Sequence, residues 1–300
     1  MNQQFNTIFI TGSSGFVGKN LISYFSTQFA FVKYDKTFPL NIQGEIVLHL
    51  AGKAHDLKQN SNYSEYYHVN TELSKSIFDA FLESDAKVFI TLSSVKAVAD
   101  KLDYELTEDR IPNPITHYGK SKLLAEEYIL SKEIPIGKRV YILRPCMIHG
   151  PGNKGNLNLL FNIVSKRFPW PLGAFENKRS FCSIDNLCFI IKELIENDQI
   201  SSGIYNVSDD EAISTNELIQ LISKCQGKNS HIWYTPKSFI TTVAKLGDAF
   251  RLPLNTERLE KLTETYIVSN EKIKKAINKS LPISSIQGLS KTLNSFISND

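Results

Sequence analysis

The apolar positions of the first half fall into short unbroken runs separated by stretches of helical spacing. IFITG (8–12) is such a run and stops at a glycine. GFVGKNLISYFSTQ (15–28) follows, with Phe16, Leu21, Tyr24 and Phe25 spaced for one helix face. The alternation continues through AFVKYD (30–35), EIVLHLAG (45–52), a helical stretch over 63–83, KVFITLSS (87–94), a helix over THYGKSKLLAEEYILSK (116–132) and RVYILRP (139–145). Strands apolar at every position are buried on both faces, and their alternation with helices predicts an α/β fold with a parallel, doubly wound sheet. The stretch between Asp35 and Glu45 is too short for a strand-helix unit, so one crossover is expected to be trimmed. After Pro145 the pattern loosens. A loop at 149–156 leads to helices over 158–168, 185–197 and 216–225, with an apolar PWPLG loop at 169–173 and a strand over 203–208. Short helices follow near 237–250, 255–264, 269–277 and 284–297. The boundary this suggests divides a sheet domain (1–145) from a smaller lobe (146–300), some of whose segments return to the sheet.

Composition narrows the class. A formal charge of +3, with lysines and arginines scattered, argues against a nucleic-acid partner. KIKKAINK (272–279) is the densest basic run and reads as the wet face of a helix. The four cysteines (Cys146, Cys182, Cys188 and Cys225) lie in or near apolar segments, form no CxxC and have no metal-site spacing; buried, reduced thiols are expected, with no metal. No basic leader precedes a long apolar stretch, and no window reaches the ~18 apolar residues of a membrane span. A cytoplasmic setting without membrane attachment is the expectation.

The turn TGSSGFVG (11–18) joins the first strand to the first helix. Gly12 permits a tight turn, Gly15 lets the backbone approach a pyrophosphate, and Gly18 lets helix and strand pack closely. The helix N-terminus then faces the anion. Asp35 ends the second strand, twenty positions after Gly15. It is either an ordinary strand-end aspartate or the acceptor for adenosine ribose hydroxyls, which would favour NAD over NADP. Lys33 and Lys36 flank it and soften that discrimination.

Tyr118 and Lys122 are four apart in THYGKSK, on one helix face. A free tyrosine titrates near ~10, and bringing it toward neutrality takes about 4 kcal/mol of differential stabilisation. A buried lysine and a cationic nicotinamide would together supply this, making Tyr118 a proton carrier for a sugar hydroxyl. Ser94, at the end of a strand, would hydrogen-bond the same hydroxyl; as an alternative it caps a turn. Tyr128 and Lys132 repeat the spacing on another face, where Tyr128 joins Leu124 and Ile129 in core packing.

Together these residues resemble the extended short-chain dehydrogenase/reductase family, in its nucleotide-sugar epimerase/dehydratase branch. TGSSGFVG resembles its TGxxGFxG turn, which brings Phe16 and Val17 into the cofactor set. HLAG (49–52), with Leu50, Ala51 and Gly52, resembles its HLAA strand end, and Asn70 its helix asparagine. SSVKAVA and YGKSK resemble its Ser and YxxxK elements, LRPCMIHGPG (143–152) its LRxxNVYGPG segment with Pro145, and RSFCSIDNL (179–187) its RDxxxVxDL segment. The resemblance implies a Rossmann-type domain, NAD as cofactor with NADP possible, and a UDP-sugar as substrate. It makes Ser94, Tyr118 and Lys122 catalytic, with Ser94, Tyr118, Asn156, Arg179 and Arg258 on the substrate; Lys96 is either solvated or meets a substrate oxygen. It also implies a homodimer through the helices near 63–83 and 116–132, and a place in bacterial surface-polysaccharide synthesis.

Departures from the pattern bear on the reaction. Dehydratases of this branch carry an acidic pair after the catalytic Ser/Thr, where this chain has Val95 and Lys96. Valine cannot protonate a leaving hydroxyl, and lysine at ~10.4 is a poor acid at neutral pH. Dehydration is therefore not expected. Asp35 leans toward a 4-epimerase of a UDP-hexose or UDP-N-acetylhexosamine. Met147, in place of the family's asparagine, leans toward an NAD(P)H-dependent reductase of a UDP-4-keto-6-deoxy-N-acetylhexosamine. The epimerase is preferred narrowly. A non-catalytic dinucleotide sensor is the third reading, against which the Tyr118–Lys122 pair speaks.

Overall fold

The computed structural model describes residues 7–37, 40–53, 63–153, 155–166, 168–250 and 255–297. Strands β1 (Thr7–Thr11), β2 (Ala30–Lys33), β3 (Ile46–His49), β4 (Val88–Leu92) and β5 (Arg139–Pro145) lie in one parallel sheet. A second, two-stranded parallel pair joins β6 (Met147–His149) to β7 (Phe181–Ser183). Strand β8 (Gly203–Val207) returns to the main sheet beside β5, with Tyr141 opposite Gly203 and Pro145 opposite Val207, giving the order β2-β1-β3-β4-β5-β8. The chain reverses its direction of travel across the sheet at β1. That leaves a crevice beyond the carboxyl ends of β1 and β3, where open α/β sheets bind ligands.

The helices are α1 (Phe16–Phe25), α2 (Tyr63–Tyr66), α3 (Leu73–Glu83), α4 (His117–Leu130), α5 (Asn156–Ser165), α6 (Ile184–Glu196), α7 (Thr215–Cys225), α8 (Lys237–Phe250), α9 (Thr256–Thr263), α10 (Glu271–Ile277) and α11 (Ser285–Ile297). The unbroken apolar runs are explained by helices on both faces of the sheet. Ile8, Ile10, Leu48, Ile90, Tyr141 and Leu143 meet Leu21 and Phe25 of α1 and Leu187, Ile190, Ile191 and Leu194 of α6. The alternate residues Phe9, Val47, Phe89, Val140 and Ile142 meet Ile77, Phe78 and Phe81 of α3 and Ile129 of α4.

The helix expected over 63–83 is not uniform. A π-helical turn, Tyr67–Glu72, separates α2 from α3 and turns Asn70 and Thr71 inward, both buried. No helix lies in the described part of the connection between β2 and β3. Residues after Pro145 form two further cores, one of Leu157, Phe161, Phe181, Leu218, Ile222, Leu289, Leu293 and Phe296, the other joining Trp170 and Leu172 to α8 and α9. Cys146, Cys182 and Cys188 are buried thiols, whereas Cys225 is only half-buried. Among the described residues no helix is long and apolar enough to cross a membrane.

Candidate active site

Gly12 has φ +68°, and a Cβ there would stand 2.7 Å from the Leu50 carbonyl and from the Ala51 nitrogen. Only glycine relieves both the backbone and the contact. The Gly15 N–H donates to the Gly12 carbonyl at 3.1 Å and closes the turn. At Gly15 no side chain caps α1, so its first N–H groups face the crevice as an anion site. Phe16 and Val17 pack partly against the first core. A cleft of about 450 Å³ runs past Ser14, Phe16 and Lys19 to Pro151 and Gly152. Asp35 is exposed just after β2. Its carboxylate accepts from the Thr37 N–H (2.9 Å) and hydroxyl (2.7 Å), bonds that hold its pKa below the usual carboxylate value.

Behind the glycine turn runs a buried polar chain. The Ala51 N–H donates to Thr11 Oγ1 (3.0 Å), which lies 2.8 Å from His49 Nδ1; His49 Nε2 lies 2.8 Å from Ser74 Oγ, and that hydroxyl donates to the Asn70 carbonyl (2.7 Å). Ser74 uses its proton on Asn70, so Nε2 carries the imidazole hydrogen and Nδ1 accepts. Burial, with Lys122 nearby, lowers His49 to about 3, so the ring is neutral. The strand pattern marks His49 as buried, but no local signal identifies its partners, 38 and 25 residues away.

The π-turn delivers Asn70 to the strand ends. Its Oδ1 accepts from the Lys53 N–H (2.8 Å), and its Nδ2 donates to Ser121 Oγ on α4 (3.0 Å). Lys122 is buried and donates to the Leu92 carbonyl at 2.8 Å. A Cβ on Gly52 would lie 3.0 Å from Lys122 Nζ and 3.2 Å from Asn70 Oδ1, so Gly52, Asn70 and Lys122 share one corner. Burial pulls the Lys122 ammonium down to about 8, with Glu126 acting in the opposite direction.

Ser94 and Tyr118 meet at the end of β4. Ser94 Oγ accepts from the Lys96 N–H at 3.2 Å and is hydrogen-bonded to the Tyr118 side chain. Burial raises the Tyr118 phenol, and the Ser94 bond offsets this in part. With Lys96 donating to Ser94 Oγ, the serine hydroxyl is left to donate to the tyrosine oxygen, which favours phenolate. Beneath them Glu126 accepts from Ser93 Oγ and from Arg144, whose Nη2 approaches to 2.5 Å and Nε to 3.0 Å. Both charges are nearly fully buried. This ion pair was not read from the sequence; charges within apolar segments were its only trace. Tyr128 faces α3, where its hydroxyl donates to Asp79, while Leu124 of the expected stripe is 43% exposed.

The remaining residues are more dispersed. Pro145 is buried at the end of β5 beside β8. Arg179 is partly buried; its Nε donates to the Glu264 carbonyl at 3.1 Å, and its Nη2 lies 3.6 Å from the Glu264 carboxylate. Lys96 donates to the Asp100 carbonyl at 2.6 Å, and its ammonium stands 4.0 Å from the Tyr266 ring centroid. Burial lowers Lys96, Glu264 and Asp100 oppose that, and Arg179 adds to it. Lys96 and Arg179 therefore share one electrostatic neighbourhood. Arg258 is exposed in the first turn of α9, and Asn156 opens α5 with a side chain outside the described residues. The uncapped N–H groups of α1, the Cβ-free Gly12 and Gly52 and the accepting carboxylate of Asp35 together fit a dinucleotide.

Known proteins resemble this chain in sequence and in fold. Residues 33–208 match the model of the NAD dependent epimerase/dehydratase family. UDP-glucose 4-epimerase of Vibrio cholerae is 26% identical over an alignment covering 97% of this chain and 95% of that protein. The N-acetyl-alpha-D-glucosaminyl-diphospho-ditrans,octacis-undecaprenol 4-epimerase of Escherichia coli O157:H7 is 28% identical, covering 77% of this chain and 76% of that one. The solved UDP-glucuronic acid 4-epimerase of Bacillus cereus, in complex with NAD, superposes with a TM-score of 0.74 over 97% of this chain and 99% of its own, at 17% identity; this likeness concerns the fold.

Proposed function

The chain belongs to the NAD dependent epimerase/dehydratase family, and on that premise we propose that it inverts C4 of a UDP-hexose or UDP-N-acetylhexosamine, with Tyr118 as base and acid. The observation that carries the reading is the bond between Ser94 and Tyr118, with the buried Lys122 one turn further along α4. Gly12, Gly15, Gly18, Asp35, Gly52, Asn70 and Lys122 would hold NAD, which when bound supplies a hydride acceptor and a positive ring. NADP is the alternative cofactor. Tyr118 takes the proton of the C4 hydroxyl as phenolate and returns it after the sugar has turned over. Ser94 donates to the same oxygen and keeps it in line. Lys122 holds positive charge beside the phenolate, supplying part of the ~3-unit shift that neutral catalysis asks of a tyrosine. Arg179 takes the substrate diphosphate, where a planar guanidinium suits two phosphate oxygens. No carboxylate follows Ser94, so elimination of a hydroxyl has no acid at that position.

A homodimer through α3 and α4 belongs to the same reading. Leu124 and Leu130, 43% and 57% exposed on α4, would be covered by it, and light scattering of the purified protein measures it.

Denaturing the purified protein and assaying the supernatant for NAD tests tight cofactor retention. Incubation with UDP-GlcNAc or UDP-glucose, without added cofactor, is expected to yield the C4 epimer, and Tyr118→Phe to lower the rate at least ~100-fold. A polyprenyl-diphosphate N-acetylglucosamine serves as a second substrate, after the E. coli relative. NADPH oxidation on a UDP-4-keto-6-deoxy sugar, with no epimer formed, would replace the proposal with the reductase. Undiminished activity in Tyr118→Phe would remove the catalytic assignment.

A further inference from the structure

Lys96 occupies the position where an acid would serve elimination, and its surroundings give it another task. The turn after Ser94 is a single 3-10 turn, Val95–Ala97, whose cap is Ser94 itself. Ser94 Oγ is therefore held by the backbone of Lys96, and the placement of that hydroxyl depends on where the turn is pinned.

Contacts from three side chains, Lys96, Tyr266 and Asp100, pin it. The Lys96 ammonium donates to the Asp100 carbonyl at 2.6 Å and rests on the face of Tyr266, 4.0 Å from its centroid. The Tyr266 hydroxyl donates to the Ala99 carbonyl at 2.7 Å, gripping the same segment from the other lobe. The Asp100 carboxylate accepts from the N–H groups of Ile115 (2.6 Å) and Thr116 (3.1 Å) and from the Thr116 hydroxyl (3.0 Å). Thr116 is the N-cap of α4, two residues before Tyr118. The segment after Ser94 is thus bolted to the start of the helix that carries Tyr118. The fit leaves no slack, since a Cβ on Gly119 would stand 2.3 Å from the Lys96 carbonyl.

We propose that Lys96 is a positioning residue, which through Asp100 and Tyr266 locks the Ser94 turn against the N-terminus of α4 so that Ser94 and Tyr118 address one substrate oxygen. The substrate part of this statement rests on the functional reading above; the lock itself does not. The carbonyl and the ring face both engage the ammonium from within the protein, which gives the charge a structural task. Tyr266 pairs through its backbone with Arg179, so the lock also ties the serine turn to the segment that carries the arginine. A misplacement of reacting groups by about 1 Å costs on the order of 100-fold in rate.

The test compares Lys96→Met, Lys96→Arg and Tyr266→Leu by steady-state kinetics on the sugar nucleotide that the wild type epimerises. Lys96→Met is expected to lower kcat by ~10- to 100-fold with KM within about twofold. Lys96→Arg, which keeps a cation over the ring, is expected to recover most of that loss. Lys96→Met combined with Tyr266→Leu should cost less than the product of the two single losses, as expected for groups acting together. A KM raised tenfold at unchanged kcat would make Lys96 a substrate ligand and overturn the proposal, as would unchanged kinetics in Lys96→Met. Backbone amide exchange, measured without substrate, decides the lock separately. Lys96→Met should speed exchange at Lys96, Ala97, Ile115 and Thr116 while leaving the central strands unchanged; equal exchange in both proteins overturns it. If the wild type turned over no nucleotide sugar, the functional reading would fail and the exchange data alone would judge the lock.

Discussion

A lysine drawn from its ordinary ~10.4 down to about 8 changes how stability depends on pH. Below about 8, Lys122 is charged in the folded and unfolded states alike, and the folded protein carries the cost of that buried charge. Between about 8 and ~10.4 the folded protein releases the proton while the unfolded chain keeps it, so stability rises with pH and the cost is gone above ~10.4. Relative to Lys122→Met, the wild type should therefore gain about 3 kcal/mol between pH 7 and pH 11, read from urea unfolding of the two cofactor-free proteins. The same residue scale shows where one-dimensional reading stops. Tyr118 and Lys122 are four apart and legible as a pair, and the repeat at Tyr128 and Lys132 was separated from them by helical phase alone. Lys96 was legible as something that is not an acid, with solvation and a substrate contact both open.

Helix α4 carries the proposed catalytic positions Tyr118 and Lys122 together with structural ones. Gly119 lies within it, and alanine is a better helix former by ~1 kcal/mol. The space for a side chain is nevertheless missing, because the Lys96 carbonyl stands 2.3 Å from the position a Cβ would take. Gly119→Ala should thus destabilise by about 1–3 kcal/mol, as overpacking does, and lower kcat by moving Ser94; thermal unfolding and turnover together measure it. One turn beyond Lys122, Glu126 binds Arg144 of β5 and Ser93, the residue just after β4. Glu126→Gln leaves the guanidinium buried without its counter-charge and should cost about 3–5 kcal/mol. Pairing it with Arg144→Met should cost less than the sum of the single changes, which a double-mutant cycle in urea would show. Helical periodicity placed Ile129 of α4 inward but also Leu124, which is 43% exposed, and it did not say which positions held a charge pair, because the partner lies 18 residues away on a strand.

At the level of the whole molecule the two halves are interleaved. The sixth strand of the sheet comes from residues 203–207, and Tyr141 and Leu143 of β5 share a core with Tyr205, Val207, Tyr266 and Val268. A chain ending at residue 145 would expose that edge and that apolar surface together. It is expected to give no cooperative thermal transition and to bind a hydrophobic dye, whereas the 300-residue chain melts in a sigmoid; circular dichroism and dye fluorescence separate the outcomes. The loosened apolar pattern after Pro145 suggested a change of architecture, and the strand at 203–208 was visible as a run. Its position beside β5 was not, since a strand of this kind carries burial in its sequence and no record of its neighbour.

By itself the sequence determined what depends on short-range periodicity and on single residue types. The two-faced burial of the sheet, the glycine at position 12, the four-residue spacing of Tyr118 and Lys122 and the serine at a strand end are all of that kind. Only the tertiary structure decided which distant groups meet. Glu126 with Arg144, Asp100 with Thr116, His49 with Ser74, and Lys96 with Tyr266 across 170 positions are contacts of that sort. The physical reason is that a side chain's polarity records whether it must find a partner once buried. The partner's identity is set by the path of the backbone, which brings together segments that share no local pattern.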